Sequence, residues 1–376
     1  MLTSLTPVVI LGTMGAFVLM RWERLPLILR DAWPLLLLPG MALLSTTWSA
    51  IPGTSFYYGV LYLATVLAGM MIGRGMAPGT LLTGFFTAFA IFTVFSVLSM
   101  RFTAWGGGGT AFVGLTQSKN SAGDMAGVGL LATLCFFFSA LSRRKLVQMG
   151  LALAVVPFLL FALWFSRATG ALVATTAIFG VTLAWLASRL LTVQARTAIF
   201  VLAIVVIALL IATQQFWLPP LFDAVLENSG KDAGLTGRAD LWIYADDLIS
   251  RKPLLGLGYN GFWVHNNLDA EYIWRHMGIG SRSGFNFHNT PREILVHMGY
   301  VGLAIFAVVA IIGALRLIVL TSQTPSHERI FACAIVLFYA MKMPFEVVGI
   351  PPIHFGTLTS VAVLAMGFRR TDPARR

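Results

Sequence analysis

Charge is what this chain most lacks. Of its 376 residues only 11% are Asp, Glu, Lys or Arg, with 15 acidic against 26 basic. Soluble domains carry about 25% charged residues, so this composition cannot cover a water-exposed globule. Cysteine is nearly missing too. The two present, Cys135 and Cys333, fall inside apolar runs, which removes a disulfide framework and a thiolate zinc site. There is no glycine-lysine phosphate loop, no HExxH pair and no GxSxG elbow. His265, His276, His288 and His297 share one stretch, but without an i, i+4 pair or a cysteine partner. No metal and no cofactor is therefore expected.

What the chain has is hydrophobic surface: 57% of its residues are apolar, and the mean hydropathy is +0.82. Apolar runs of about 17 to 25 residues cross a bilayer as helices, whereas a barrel would show alternating segments of about ten. The expected fold class is all-α, a polytopic transmembrane helix bundle of about eleven spans with one large extracytoplasmic loop. The spans are read at 4–20, 32–48, 54–73, 79–100, 120–141, 146–166, 169–188, 196–213, 292–320, 328–345 and 353–368. The one long polar segment, 214–291, is too polar for lipid and too long for a turn. The chain thus divides into 1–213 with spans one to eight, 214–291 as a large loop carrying site residues, and 292–376 with the last three spans and a tail.

The N-terminus shows neither a charged n-region nor a small-residue cleavage site, so it reads as a first span rather than a signal peptide. With the C-terminus inside, short inner segments hold Arg21, Arg24, Arg30, Arg74, Arg143, Arg144, Lys145, Arg189, Arg196, Arg316, Arg329 and the tail arginines. That satisfies the positive-inside rule and turns the long loop outward. The net charge of +11 is then explained by topology and anionic lipid, with no nucleic acid partner.

Polar groups gather at the outer ends of spans: Lys119, Asn120 and Asp124 in "LTQSKNSAGD", Arg167 in "SRATG", Lys342 and Glu346 in "MKMPFE". A charge at mid-membrane costs about 2.5–3.5 kcal/mol on insertion scales, so each needs water or a partner. Arg167 sits in an outward turn where basic residues are disfavoured, which points to an anion ligand, with snorkelling to headgroups as the alternative. Lys342 and Glu346 are four apart and are expected on one helical face, as an ion pair or a functional pair. Lys119 and Asp124, five apart, match a helix less well.

Within the loop, "LTGRADLWIYADDLISRKP" reads as an amphipathic helix with Leu241, Trp242, Ala245, Leu248 and Ile249 on its apolar face. Such a helix is expected to lie at the bilayer surface. Arg238 at its start would face the level of a lipid-linked phosphate, or be an ordinary exposed charge. "GLGYNG" lacks the strand and βαβ unit of a dinucleotide site and reads as a turn-rich loop. The run Gly106 to Gly109 suggests a flexible connection. Loop aromatics such as Trp217, Trp263 and Trp274 suit an interfacial belt, with some free to stack on sugar rings.

In "GFNFHNTPREILVHMGY" the grammar of a helix start is visible. Thr290 is expected as N-cap, Pro291 at the first helical position and Glu293 at N3, opening one long helix at about 291. His288 and Asn289 would stand just ahead of it. A helix N-terminus favours bound phosphate and disfavours an imidazolium, so His288 is either a neutral general base or a polar interfacial residue.

These segments carry a resemblance. "LSTTWSAIPGTS", "FVGLTQSKNSAG", "SRATG", "TGRADLWIYADDLISRKPLLGLGYNGFW" and "FNFHNTPREILVHMGYVGL" span residues 44 to 303. In order and in placement around one outward loop they resemble the bacterial O-antigen ligase and O-antigen polymerase superfamily, particularly its exopolysaccharide-polymerase-like branch. The resemblance implies a metal-independent, inverting glycosyltransferase at the outer, periplasmic face of the bacterial inner membrane. Its donor would be a glycan on undecaprenyl diphosphate, its acceptor a sugar hydroxyl of a lipid-linked repeat unit or of the lipid A core. It implies diphosphate binding by Arg167 and Arg238 and catalysis by His288. Lys119, Asn120, Asn289, Arg292 and Lys342 are candidate supporting residues, and polysaccharide assembly proteins candidate partners. The "QSKN" segment departs from the family in lacking a histidine often found there. Two other readings remain open: a transporter or flippase of lipid-linked sugars, and a scaffold for polysaccharide assembly.

Overall fold

The computed structural model describes residues 12–104, 109–213, 215–216, 237–280, 282 and 284–368. Part of the expected first span, Gly106 to Gly108, Trp217 and the tail arginines lie outside the described residues. The protein is an all-α membrane bundle. Seven helical segments among the described residues are long and apolar enough to cross a bilayer: Trp22–Thr47, Pro52–Gly75, Pro78–Leu98, Lys119–Ser142, Leu146–Phe165, Thr169–Ser188 and Thr290–Gln323. Helices Val193–Ala212, His327–Lys342 and Phe355–Gly367 fall at the other expected spans. The short antiparallel hairpin Phe102–Ala104 with Thr110–Phe112 is the one pair of strands among the described residues.

Local departures from the expected spans have chemical causes. The second span begins at Trp22 rather than at residue 32, and runs as short pieces, Leu25–Ala32, Trp33–Leu36, Leu37–Leu44 and Ser45–Thr47. Pro34 supplies no amide proton for an i→i−4 bond, and the α-helical ladder gives way there to the tighter turn Trp33–Leu36. The ninth span is not one straight helix: Gly299, at φ 64° and ψ −167°, breaks Thr290–Gln323. Segment 253–258 satisfies the groups the break releases. Leu257 and Gly258 donate to the carbonyls of Val296 and His297, and Tyr300 and Val301 donate to those of Pro253 and Leu254. Broken helices persist at membrane depth only where protein or water replaces the missing bonds. A Cβ on Gly299 would strike the Leu254 carbonyl, and one on Gly256 the His297 backbone at 2.6 Å. The "GLGYNG" stretch is thus a turn segment that closes a broken helix.

The chain forms two compact units, residues 1–77, 237–317 and 339–376, and residues 78–236 and 318–338. In the first, helices Pro52–Gly75 and Phe355–Gly367 approach closely because Gly69 and Gly73 leave room for Val361 and for the Ala362 carbonyl, as small residues do in membrane packing. Tyr62 and Tyr259 stack at 5.4 Å in its core and donate to the carbonyls of Gly349 and Ile350. The loop helix Arg238–Arg251 does not reserve its apolar face for the bilayer. Leu241, Ala245, Leu248 and Ile249 are buried in a core with Phe262, Ile273, Trp274, Phe287 and Val296. Trp242 is half-buried, and its indole N–H donates to the Phe287 carbonyl. That core and the indole bond fix the loop helix beside residues 285–289.

In the second unit, helix Lys119–Ser142 packs against Pro78–Leu98, Leu146–Phe165 and Thr169–Ser188. Gly123, Gly127 and Gly129 face Ala168, Thr175 and Leu159 respectively. Leu146, Val147, Leu151, Leu153, Leu160 and Trp164 are exposed on Leu146–Phe165, as a lipid-facing helix requires.

Candidate functional site

The site is built on the turn 284–290. Gly284 adopts φ 76°, and the Asn286 side chain accepts from the His288 N–H at 2.8 Å. His288 itself sits at φ 49°, a left-handed conformation that costs a non-glycine residue about 1–2 kcal/mol. Such strain persists only where surroundings over-determine it, and here they do. The Phe287 N–H donates to Glu293 Oε2 at 2.8 Å, and the Asn289 side-chain amide donates to the Pro344 carbonyl at 3.0 Å.

The helix cap lies one residue earlier than expected. Asn289 Oδ1 accepts from the Arg292 N–H at 2.9 Å, and the Asn289 carbonyl accepts from the Glu293 N–H. Asn289 is therefore the N-cap, and Pro291 takes the second helical position. Thr290 cannot cap, because it is committed to segment 343–348. Its N–H donates to the Met343 carbonyl, its hydroxyl donates to the Glu346 carbonyl at 2.7 Å, and its oxygen accepts from the Val348 N–H at 2.9 Å.

Those bonds deliver Glu346. Helix His327–Lys342 stops at Lys342, ahead of Pro344, so Lys342 and Glu346 do not share a helical face as expected. The N–H groups of Phe345 and Glu346 instead both donate to the Lys342 carbonyl. Glu346 Oε1 accepts from an Arg238 guanidinium nitrogen at 3.1 Å, and Oε2 lies 3.4 Å from His288 Nδ1. Burial alone would raise its pKa, but His288, Lys342 and Arg238 outweigh that and hold the carboxyl down at about 2. An ionised carboxylate only accepts, so the His288 nitrogen facing it is the protonated one, and in the neutral ring Nε2 carries the lone pair. The side chains of His288, Arg238 and Glu346 are 30%, 19% and 16% exposed. They remain reachable, yet dry enough for charge to act strongly.

Three further candidates lie in the same unit. Asn289 is the cap and the tie to Pro344. Lys342, 3% exposed, adds positive charge beside Glu346. Arg292 is occupied structurally: its guanidinium grips Asp246 through two bonds of 2.8 and 3.0 Å and lies 5.0 Å above the Trp242 ring. Arg167, Lys119 and Asn120 belong to the other unit. Arg167 is exposed at φ 53° between buried Ser166 and Ala168, whose side chains face Gly123. Lys119 and Asn120 open the helix that contains Gly123, capped by Ser118 Oγ accepting from the Ser121 N–H. Packing at Gly123 thereby seats the Arg167 turn on that helix.

Sequence reasoning named Glu346 only as a partner of Lys342 and missed it as the link between Arg238 and His288. Pro344 was the available signal, since the helix ends at Lys342 ahead of it and Glu346 falls on a turn rather than on the helix. Among the described residues no three His, Cys, Asp or Glu side chains gather as a metal-holding group.

Residues 154–307, the span that includes Arg167, Arg238 and His288, match the family described as O-Antigen ligase. Over 325 residues the chain is 29% identical to the exopolysaccharide production protein ExoQ of Rhizobium meliloti (strain 1021), covering 84% of this chain and 72% of that relative.

Proposed function

We propose, from the similarity of residues 154–307 to the O-antigen ligase family and of the chain to the Rhizobium exopolysaccharide production protein, that it is an inverting, metal-independent glycosyltransferase that moves a glycan from undecaprenyl diphosphate to a sugar hydroxyl at the periplasmic face of the inner membrane. The observation that carries this reading is the bridge of Glu346 between His288 and Arg238. It joins a base with a defined lone pair to a cation suited to a diphosphate.

His288 Nε2 takes the proton of the acceptor hydroxyl as that oxygen attacks the anomeric carbon. The bond from that carbon to the diphosphate oxygen breaks on the opposite face, so configuration inverts. The imidazolium that forms is stabilised by Glu346. Arg238 receives the charge of the leaving undecaprenyl diphosphate through its planar fork, and Arg167 is a second diphosphate ligand by resemblance. The acceptor in this reading is another lipid-linked repeat unit, a polymerase reaction, and the Rhizobium relative is named for exopolysaccharide production; a lipid A core acceptor would make it a ligase.

A transporter would use the break at Gly299 to offer free backbone to its cargo. Here those groups are consumed by residues 253–258, which favours the enzyme.

The test is glycan transfer by purified protein in detergent with chelator present, using undecaprenyl-diphosphate-linked repeat units as sole substrate. Wild type should build long lipid-linked chains and His288→Ala should lose about 10²–10⁴ in rate. Chain growth by His288→Ala at the wild-type rate would refute the assignment of the base. No transfer by either protein, to repeat units or to lipid A core, would refute the enzyme.

A further inference from the structure

Beside the His288 turn, within the same unit, lies a cavity of about 760 Å³, inside the range of about 300–1,000 Å³ typical of small-molecule sites. Phe285 and Asn286 on its wall precede His288, and Val347 follows Glu346, so the cavity adjoins the proposed base. Tyr57 and Tyr58 contribute from the first turns of helix Pro52–Gly75, with Tyr259, Trp263 and Trp274 contributing from the loop. The rings of Tyr57 and Tyr58 meet edge to face at 5.1 Å and remain 54% and 36% exposed. Both side chains therefore keep surface free of packing.

Two of the other lining groups are polar and deeply buried. Glu293 and His297 are 3% and 1% exposed, and His297 Nε2 lies 3.5 Å from Glu293 Oε1. Neither ring nitrogen of His297 makes a hydrogen bond among the described residues, nor does the indole nitrogen of Trp274. Buried polar atoms are almost always paired; His297 Nε2 has only the 3.5 Å contact with Glu293, and both residues line the cavity. Arg282, also on the wall, is neutralised by Glu271 at 2.7 Å, which makes this a poor seat for a diphosphate.

A pyranose ring has an apolar C–H face and a rim of hydroxyls, and this cavity complements both. We infer that it binds the terminal sugars of the acceptor glycan, with Tyr57, Tyr58 and Trp263 against ring faces and Glu293 and His297 taking hydroxyls. The inference rests on the proposed transfer reaction, because it is that reaction which requires an acceptor hydroxyl beside His288.

The probe is the soluble oligosaccharide released by mild acid from the host's own lipid-linked repeat units, titrated into full-length protein in detergent while tryptophan fluorescence is read. Wild type and His288→Ala should both bind it saturably. The Tyr57→Ala/Tyr58→Ala double variant and Glu293→Gln should bind at least tenfold more weakly. In a transfer assay with the released oligosaccharide supplied as a separate acceptor, the tyrosine variant should raise the KM for that acceptor at least tenfold and leave the KM for the lipid-linked donor within twofold. Because both tyrosines are exposed, this variant keeps the test valid if Glu293→Gln fails to fold. Unchanged probe binding with unchanged acceptor KM overturns the cavity assignment while the enzyme stands. A rise confined to the donor KM overturns the acceptor assignment. Probe binding without any transfer by wild type supports the glycan site and removes the enzymatic reading.

Discussion

His288 Nδ1 lies 3.4 Å from Oε2 of Glu346, a residue 58 positions further along the chain. Neither residue reaches the other through regular secondary structure. Thr290 and Asn289 tie the histidine turn to segment 343–348 through main-chain partners, and the carboxylate arrives as a consequence of those ties.

Exchanging Glu346 for glutamine should therefore injure turnover more than binding. An amide N–H facing Nδ1 would move the imidazole proton to Nε2 and remove the base. A fall in kcat of about 10²–10⁴-fold is expected in Glu346→Gln, with donor KM unchanged or lower because Arg238 loses its counter-charge. Wild-type kcat in this variant would remove Glu346 from the mechanism.

Acid should separate the same two proteins by stability. The Glu346 carboxyl titrates at about 2 in the folded protein against an ordinary 4.5, so its ionisation stabilises the fold at pH above about 4.5 and that contribution is lost as pH falls towards 2. The difference in Tm between wild type and Glu346→Gln should be constant from neutral pH down to about 5 and shrink below it. A difference that shrinks near pH 7 would place the effect on another group.

Arg238 and Arg292 should part company on substitution. Arg238→Ala should raise donor KM and cost about 10²–10³-fold in rate, and Arg238→Lys should restore little of it, because one point charge cannot reproduce the fork. Arg292→Ala loses a partly exposed ion pair and a contact with Trp242, together about 1 kcal/mol of stability, with kinetics near wild type. Equal kinetic defects in both would contradict this division.

Gly299 offers a structural test. Gly299→Ala combines a left-handed backbone with a Cβ driven into the Leu254 carbonyl, so it should abolish the monodisperse peak in detergent gel filtration. Gly278→Ala has the same φ of 64° but open space around it, and should cost only about 1–2 kcal/mol. Comparable behaviour of the two would mean that the contact with residues 253–258 is unimportant.

Much of the bundle was legible beforehand. Helices Lys119–Ser142, Leu146–Phe165 and Thr169–Ser188 appear within a few residues of the apolar runs that announced them, since hydropathy over about 20 residues measures the property that membrane insertion uses. The errors fall where a local rule met a distant partner. Thr290 had every attribute of an N-cap, but its hydroxyl and N–H were claimed by residues 343–348, and Asn289 took the cap. The loop helix had the amphipathic pattern of a surface-lying helix, but Phe262, Ile273 and Phe287 were available to cover its apolar face.

The sequence by itself determined the solvent, the helical class and the chemistry-bearing segments, because composition and apolar run length act locally and additively. Only the tertiary structure decided that Glu346 stands between Arg238 and His288, that helix Thr290–Gln323 breaks to admit residues 253–258, and that Tyr57 shares a cavity with Glu293. Each of these depends on which distant carbonyl or carboxylate satisfies a buried donor. Where burial keeps water from serving, that competition among partners is settled by the whole fold.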